Sequence, residues 1–166
     1  MSRLRSAGAG AAAATLWGLF EPLDQKIFRS DYSDIALLGK AVTQGPRWRP
    51  AGFALHAVNG VVFGLVFHEL RRRVPVEPRR LALGLALAEH VTLYPLSYLV
   101  DRYHPARGEP GIPPLLTNPR AVAQATARHV LFGVALGWLA GPSARPSARR
   151  FRATRPSRRR ASRSAA

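Results

Sequence analysis

Long apolar blocks alternate along this chain with polar connections rich in arginine and proline. Four blocks stand out, at residues 7–20, 53–70, 81–100 and 121–140. At a helical rise of about 1.5 Å per residue, twenty residues cover the roughly 30 Å of a hydrocarbon core. A soluble helical bundle would carry charged outward faces along these blocks, and they lack such faces. The pattern predicts an all-α fold, a polytopic membrane four-helix bundle formed by residues 1–142.

In three of the blocks, residues at a spacing of four share one face of a helix. Most of these residues are small. Small residues let two membrane helices approach closely. In the second and fourth blocks a histidine shares this face, so we expect small and polar positions to meet other helices together. The stripes are Gly8, Ala12 and Leu16 in the first block, His56, Gly60 and Gly64 in the second, and Ala125, His129, Gly133 and Gly137 in the fourth.

The connections between the blocks also predict local structure. Ser33 or Asp34 is suited to cap a short helix over residues 35–42. Trp48, flanked by arginines, is typical either of an anchor at the membrane interface or of a loop in a soluble protein. Pro95 lies inside the third block and predicts a break in its helical hydrogen bonding. The Pro-rich stretch after that block predicts an irregular loop.

Charge is distributed unevenly between the two sides of the predicted bundle. The formal net charge is +16, and the chain has 25 lysines and arginines. The side that holds both termini carries two of them before the first span, five between the second and third, and nine after the fourth, against eight on the other side. The positive-inside rule therefore predicts that both termini are cytoplasmic.

The segment 143–166 consists almost entirely of Arg, Ser, Pro and Ala. It has too few apolar residues to fold alone, so we expect a disordered basic tail. A tail of this charge next to a membrane span is suited to bind anionic lipid headgroups. It contains one aromatic residue and no folded module, so no specific nucleic-acid partner is predicted.

The third block carries two ionisable residues, Glu89 and His90, near its middle. Ionisable residues at such a depth are costly and generally face a partner or a cavity. When positions are compared by depth, polar residues of the second and fourth blocks fall at or near the same level. Together they define a predicted mid-membrane cluster of His56, Asn59, Glu89, His90, Arg128 and His129.

The sequence leaves two interpretations of this cluster open. In the first, Glu89 and Arg128 form a buried ion pair, and the other members fix the register of the helices. In the second, the cluster lines a small cavity that serves as a proton or ion relay, a lipid headgroup site, or a metal or haem site with two of the three histidines. The histidines have no local metal-binding spacing and the chain has no cysteine, so no metal and no cofactor is predicted.

A lipid-modifying enzyme is the alternative function that the cluster allows. Glu89 and His90 are then the catalytic pair, with Ser97 and Asp101 on the same helix face. The chain has no nucleophile elbow and no phosphate loop. The sequence therefore favours a non-enzymatic membrane component. Such a protein is either a scaffold, for a membrane-protein partner or a homo-oligomer, or a handler of small molecules or ions through the cluster.

Four segments of the chain carry a family resemblance: SDYSDIALLGKAVT, HAVNGVVFG, AEHVTLYPLSYLVDRYHP and ARHVLFGVALG. Together they resemble a family of small uncharacterised bacterial integral membrane proteins with four helices. The resemblance covers Ala11 to Leu139 and leaves the tail outside. It implies a four-helix bundle in the bacterial plasma membrane, and it implies no activity, cofactor or catalytic residue.

Overall fold

The computed structural model describes residues 2–141, and every regular element among them is helical. The predicted all-α fold is therefore confirmed for this part of the chain, while the predicted basic tail, 143–166, lies outside it. The elements are α1 Arg3–Phe28, α2 Asp34–Val42, α3 Trp48–Arg73, α4 Pro78–Leu93, a 3-10 turn Tyr94–Leu96, α5 Ser97–Tyr103 and α6 Pro119–Leu139.

The four long helices form an open ring in the order α3, α1, α6, α4. Helix α1 packs against α3 on one side and α6 on the other, and α6 packs against α4. Helices α3 and α4 are consecutive in the chain, yet they contact each other little. The ring therefore has a gap between α3 and α4, and the gap is where the candidate site lies.

Glycines set the close approach of α1 and α3. A Cβ atom added at Gly10 would collide with the Gly60 carbonyl group, and one added at Gly64 would collide with the backbone of Ser6. His56 and both α3 glycines of the predicted stripe are buried on this face, as expected. The predicted stripe of α1 is wrong, because Gly8 meets nothing within 4 Å.

The buried face of α1 is displaced from that stripe. It includes Gly10, Ala14, Trp17, Gly18 and Glu21. Spacing by four over a run of alanines and glycines does not distinguish one face of the helix from another, because small residues occur on several of them. The large residue Trp17 is the better marker of the buried side.

Helices α4 and α6 also meet through glycine. A Cβ atom at Gly133 would collide with the backbone of Leu83, and one at Gly137 would press on the backbone of Arg79. These two glycines belong to the predicted stripe of the fourth block, whose role in packing is therefore confirmed. The contacts run antiparallel and align the middle of α6 with the middle of α4.

The short helix α2 packs against α3. Its predicted cap is confirmed, since the Ser33 hydroxyl accepts a hydrogen bond of 2.9 Å from the Ala36 N–H. Trp48 begins α3, with Lys40 Nζ and the Arg49 guanidinium 5.4 and 5.2 Å from the centre of its ring. Its predicted place at a membrane interface stays a prediction.

The predicted interruption at Pro95 is found as the 3-10 turn between α4 and α5. After α5 the chain is irregular, as its prolines predict. Asp101 orders this loop, because its two carboxylate oxygens accept hydrogen bonds of 2.8 and 2.9 Å from the N–H groups of Leu115 and Leu116.

Two helices of the described residues are long and apolar enough to cross a membrane by length and composition. They are α3 and the helical stretch Pro78–Tyr103, which includes the 3-10 turn at Pro95. Helices α1 and α6 do not meet the same criterion. The structure thus gives an all-helical protein with two candidate membrane spans.

Candidate functional site

Arg128 of α6 is the centre of a saturated ionic network. Its Nε and Nη2 groups donate to the two oxygens of Asp24, each at 2.6 Å. Its Nη1 group donates to Asp34 at 2.6 Å and lies 3.5 Å from a Glu21 oxygen. Nη2 also donates to the Tyr32 carbonyl at 2.9 Å. All five N–H donors of the guanidinium therefore have acceptors.

The predicted ion pair between Glu89 and Arg128 is wrong. Successive residues of a helix point about 100° apart, so Arg128 turns toward α1 and α2 while His129 turns toward α4. Glu89 lies 3.7 Å from His129 Nε2 instead. The acidic partners of Arg128 were assigned to a polar connection, because the first apolar block ends at Phe20.

Helix α1 in fact continues to Phe28 and carries two of these acids into the bundle. A signal for this was present in the sequence. Trp17, Glu21 and Asp24 follow one another at spacings of four and three, which places them on one helix face.

Asp34, at the start of α2, belongs both to this network and to the wall of a cavity. Its carboxylate accepts hydrogen bonds from the Tyr32 hydroxyl at 2.5 Å and from Trp17 Nε1 at 3.1 Å. Burial alone would raise the pKa of this carboxyl group. The charge of Arg128 and the hydrogen bonds from Tyr32 and Arg128 outweigh burial and hold the pKa of Asp34 below its usual value.

The gap between α3 and α4 encloses a cavity of about 410 Å³. Its walls are mainly apolar, and Val62, Phe63, Val66, Leu85 and Phe132 contribute to them. Five polar side chains also line it: Asp34, His56, Asn59, Glu89 and His129.

Four of the six residues of the predicted cluster therefore face one cavity. These are His56, Asn59, Glu89 and His129. The other two lie just behind the wall, since the ring of His90 is 4.5 Å from that of His129 and Arg128 binds Asp34. The structure thus brings all six into one region, in two separate polar groups.

The hydrogen bonding of His129 shows which ring nitrogen carries the hydrogen. Its Nδ1 atom lies 2.7 Å from the Ala125 carbonyl oxygen. A carbonyl only accepts, so Nδ1 carries a hydrogen and Nε2 is a lone-pair acceptor in the neutral ring. Nε2 faces the Glu89 carboxylate at 3.7 Å. Two acceptors facing each other repel, so the pair is stabilised when a hydrogen-bond donor lies beside both of them.

A similar argument gives the tautomer of His90. The Thr126 hydroxyl donates to the Val122 carbonyl at 2.8 Å, so it accepts from His90 Nε2 at 2.9 Å. His90 Nδ1 is buried and has no hydrogen-bond partner among residues 2–141. In the neutral ring this nitrogen is an unused acceptor.

His56 presents another unused ring nitrogen, at the wall of the cavity. Its ring packs edge-on against Trp17, with centroids 5.0 Å apart. Its Nε2 atom is buried and has no hydrogen-bond partner within the described part of the chain. Buried polar atoms in proteins almost always have such a partner. An unused acceptor at a cavity wall is therefore typical of a site that binds a ligand.

Other chemistries find less support in this arrangement. The described residues contain no group of three or more His, Asp and Glu side chains placed to hold a metal ion. Asp101 is taken up by the loop after α5, and no hydrogen bond joins Ser97 Oγ to His90. Comparison with known protein families, with curated proteins and with solved structures finds no match for this chain.

Proposed function

We propose that this protein is a four-span integral protein of the bacterial plasma membrane that binds a small amphiphilic molecule in the cavity between α3 and α4. Both termini are cytoplasmic, and the protein catalyses no reaction. The family resemblance, which implies the bundle and its location, is part of the same proposal. The observation that carries it is a cavity lined by apolar side chains and by polar groups from α2, α3, α4 and α6, open between the two most apolar helices.

The outward faces of the helices support the membrane location. The most apolar stretch of α3 is only 28% buried inside the protein, and that of Pro78–Tyr103 is only 11% buried. The core helix of a soluble protein is mostly buried. Soluble monomers rarely expose such large apolar surfaces. Exposed apolar side chains occur on all four long helices, among them Leu19, Leu23, Ile27, Val58, Val62, Val91, Leu93, Val130, Val134 and Trp138.

The order of the helices also fits a membrane. Helices α3 and α4 end the open ring, where a surrounding lipid would contact them most, and they are the two candidate spans. Helices α1 and α6 each have two helical neighbours and need less apolar surface. A first and a fourth span of lower hydropathy are therefore compatible with insertion.

The proposed orientation is supported by the gathering of arginines at one end of the bundle. Arg3 Nη2 lies 2.7 Å from a Glu69 oxygen, so α1 begins where α3 ends. The last turn of α3 carries Arg71, Arg72 and Arg73, and Arg79 Cζ lies 3.8 Å from the centre of the Trp138 ring near the end of α6. By the positive-inside rule this end is cytoplasmic. The tail 143–166, for which we propose anionic headgroups as partners, continues from it.

The cavity has the size and the lining of a small-molecule site, since such sites measure roughly 300–1,000 Å³ and are mainly apolar with a few polar groups. Val62 and Val66 line it and are also exposed on α3, so they lie at its opening. A hydrocarbon chain is able to pass between α3 and α4 from the bilayer. Its polar head then meets His56, Asn59 and Glu89.

Tryptophan quenching by brominated phosphatidylcholine tests both parts of this proposal. Trp138 is 63% exposed, whereas Trp17 is 6% exposed and lines the cavity. The full chain with Trp48→Phe reports on both tryptophans, and adding Trp138→Phe leaves Trp17 alone. We expect brominated lipid to quench both residues, Trp138 because it faces the bilayer and Trp17 because acyl chains reach the cavity.

Two matched substitutions on α3 make the test specific. Val62→Phe narrows the opening of the cavity and should reduce quenching of Trp17. Val58→Phe adds the same bulk to an exposed position outside the cavity and should leave it unchanged. Unquenched Trp138 would contradict the membrane location. Quenched Trp138 together with unquenched Trp17 would contradict the binding of chains in the cavity.

A further inference from the structure

We propose that the cavity selects an amphiphile with a cationic head, a long-chain primary amine, and that Glu89 is the counter-charge of the ammonium group. This inference rests on the proposed function, because it names the class of ligand that the same cavity binds. It follows from the charges and from the hydrogen-bonding directions of the residues at the polar wall.

The charges at the wall are of one sign. Asp34 and Glu89 line the cavity, and no lysine or arginine of residues 2–141 does so. Asp34 is already neutralised, because Arg128 donates to it at 2.6 Å from behind the wall. Glu89 faces only His129, at 3.7 Å, and its side chain remains 35% exposed. It is therefore the carboxylate that is free to bind a cation from the cavity.

Two histidine nitrogens near the carboxylate are acceptors in the neutral ring. His56 lines the cavity, and its Nε2 atom is buried without a hydrogen-bond partner among residues 2–141. With the ring hydrogen on Nδ1, this Nε2 is an acceptor. His129 Nε2 is an acceptor by the argument given above.

An ammonium group fits this set of acceptors. It has three N–H donors and no acceptor. Glu89, His56 Nε2 and the side-chain oxygen of Asn59 offer it one acceptor each at the same wall. An anionic head such as a phosphonate would instead face Glu89 with no lysine or arginine of residues 2–141 lining the cavity. A hydroxyl head is able to donate one hydrogen bond to the carboxylate, but it carries no positive charge to pair with it.

Three probes with the same chain separate these heads. Decylamine, decanol and decylphosphonate are titrated calorimetrically into the full-length protein in phosphatidylcholine nanodiscs, with empty nanodiscs subtracted. We expect decylamine to bind with one-to-one stoichiometry, about ten- to a hundredfold more tightly than decanol, which is the usual worth of a hydrogen bond to a charged group. Decylphosphonate should bind more weakly than decanol.

Substitution of the counter-charge gives the decisive comparison. Glu89→Gln keeps the size of the side chain and should lower the affinity for decylamine to about that for decanol, whose affinity stays unchanged. Glu69→Gln is the matched control, since this residue lies on α3 outside the cavity and pairs with Arg3. It should change neither affinity. Asn59→Leu removes another acceptor and should lower the affinity for decylamine by a smaller factor. This variant provides the test if Glu89→Gln does not fold.

The outcomes distinguish this inference from the proposed function. Equal affinities for decylamine and decanol, or tighter binding of decylphosphonate, would overturn the cationic head and leave the cavity as a binding site. An unchanged affinity for decylamine in Glu89→Gln would overturn the role of this residue as the counter-charge. Absence of saturable binding for all three probes would overturn the inference and the proposed function together.

Discussion

Arg128 and His129 are neighbours in the sequence, yet they belong to two polar groups of opposite character. The Arg128 network consists of Arg128, Glu21, Asp24, Asp34 and the Tyr32 carbonyl, and every donor of its guanidinium is used. The cavity group consists of His56, Asn59, Glu89 and His129, and it retains unused acceptors beside an open volume.

The comparison separates polar groups that stabilise the fold from polar groups that are available to bind a ligand. A buried charge is tolerated when its partners are complete, and the removal of one partner is then strongly destabilising. The Arg128 network joins α6 to α1 and to the start of α2, so it fixes the fold. A group with unused acceptors contributes less to folding and has capacity left for a ligand. Stability and binding should therefore respond to different substitutions.

The largest effect is expected from Arg128→Met. This change leaves Asp24, Asp34 and Glu21 buried without their common cation, and we expect the free energy of unfolding to fall by about 3–5 kcal/mol. Unfolding by SDS in mixed micelles, followed by far-UV circular dichroism, measures it. Arg120→Met, at an exposed position of the same helix, should cost less than about 0.5 kcal/mol. Equal losses in the two variants would show that the network does not fix the fold.

Asp34→Asn should cost less, about 2 kcal/mol at pH 7, because it weakens charged hydrogen bonds but keeps the side-chain volume. The loss should depend on pH. The pKa of Asp34 is lowered on folding, so its carboxylate stabilises the folded state above the unfolded value of 3.8, and this contribution disappears as the pH falls through the folded value.

The measurement is the difference in free energy of unfolding between wild type and Asp34→Asn at pH 7, 5 and 3. We expect a constant difference down to pH 5 and a smaller one at pH 3. A difference that grows toward acid would mean that the pKa of Asp34 is raised on folding, opposite to the direction given by the Arg128 contact.

These two substitutions break contacts that the sequence did not predict. Depth along each apolar block predicted Asn59, Glu89 and His129 near one level and His56 about a turn away, because helical rise is regular. The structure brings these four residues to one cavity. The same reasoning paired Arg128 with Glu89, because both are charged and at similar depth. The depth of a residue along a helix does not tell in which direction its side chain points around the helix axis.

The partners of Arg128 were missed for a second reason, the length of α1. An apolar block marks where a helix is hydrophobic, whereas the helix itself continues while its backbone hydrogen bonds are favourable, here from Arg3 to Phe28. Glu21 and Asp24 therefore enter the bundle on a helix whose apolar part has already ended. Hydropathy alone cannot detect polar residues that are buried because they pair with each other.

A smaller effect, about 1 kcal/mol, is expected from Thr126→Val. Thr126 accepts from His90 Nε2 at 2.9 Å, and its loss leaves that N–H without an acceptor at the edge of the cavity group. Thr15→Val is the control. The hydroxyls of Thr126 and Thr15 both donate to the carbonyl four residues earlier in their own helices, at 2.8 and 2.9 Å, but Thr15 lies on an exposed face of α1. The free energies of unfolding of the two variants measure the difference. If they lose equal stability, the contact with His90 contributes nothing.

The smallest effect should come from the cavity group itself. Glu89→Gln removes a carboxylate that is partly exposed and lies 3.7 Å from His129 Nε2, so we expect the free energy of unfolding to change by less than about 0.5 kcal/mol. The same SDS titration that measures Arg128→Met measures this change. A loss as large as that of Asp34→Asn would place Glu89 among the structural residues and remove the distinction between the two groups. A small loss together with weakened binding of decylamine would mean that this acid serves the ligand and not the fold.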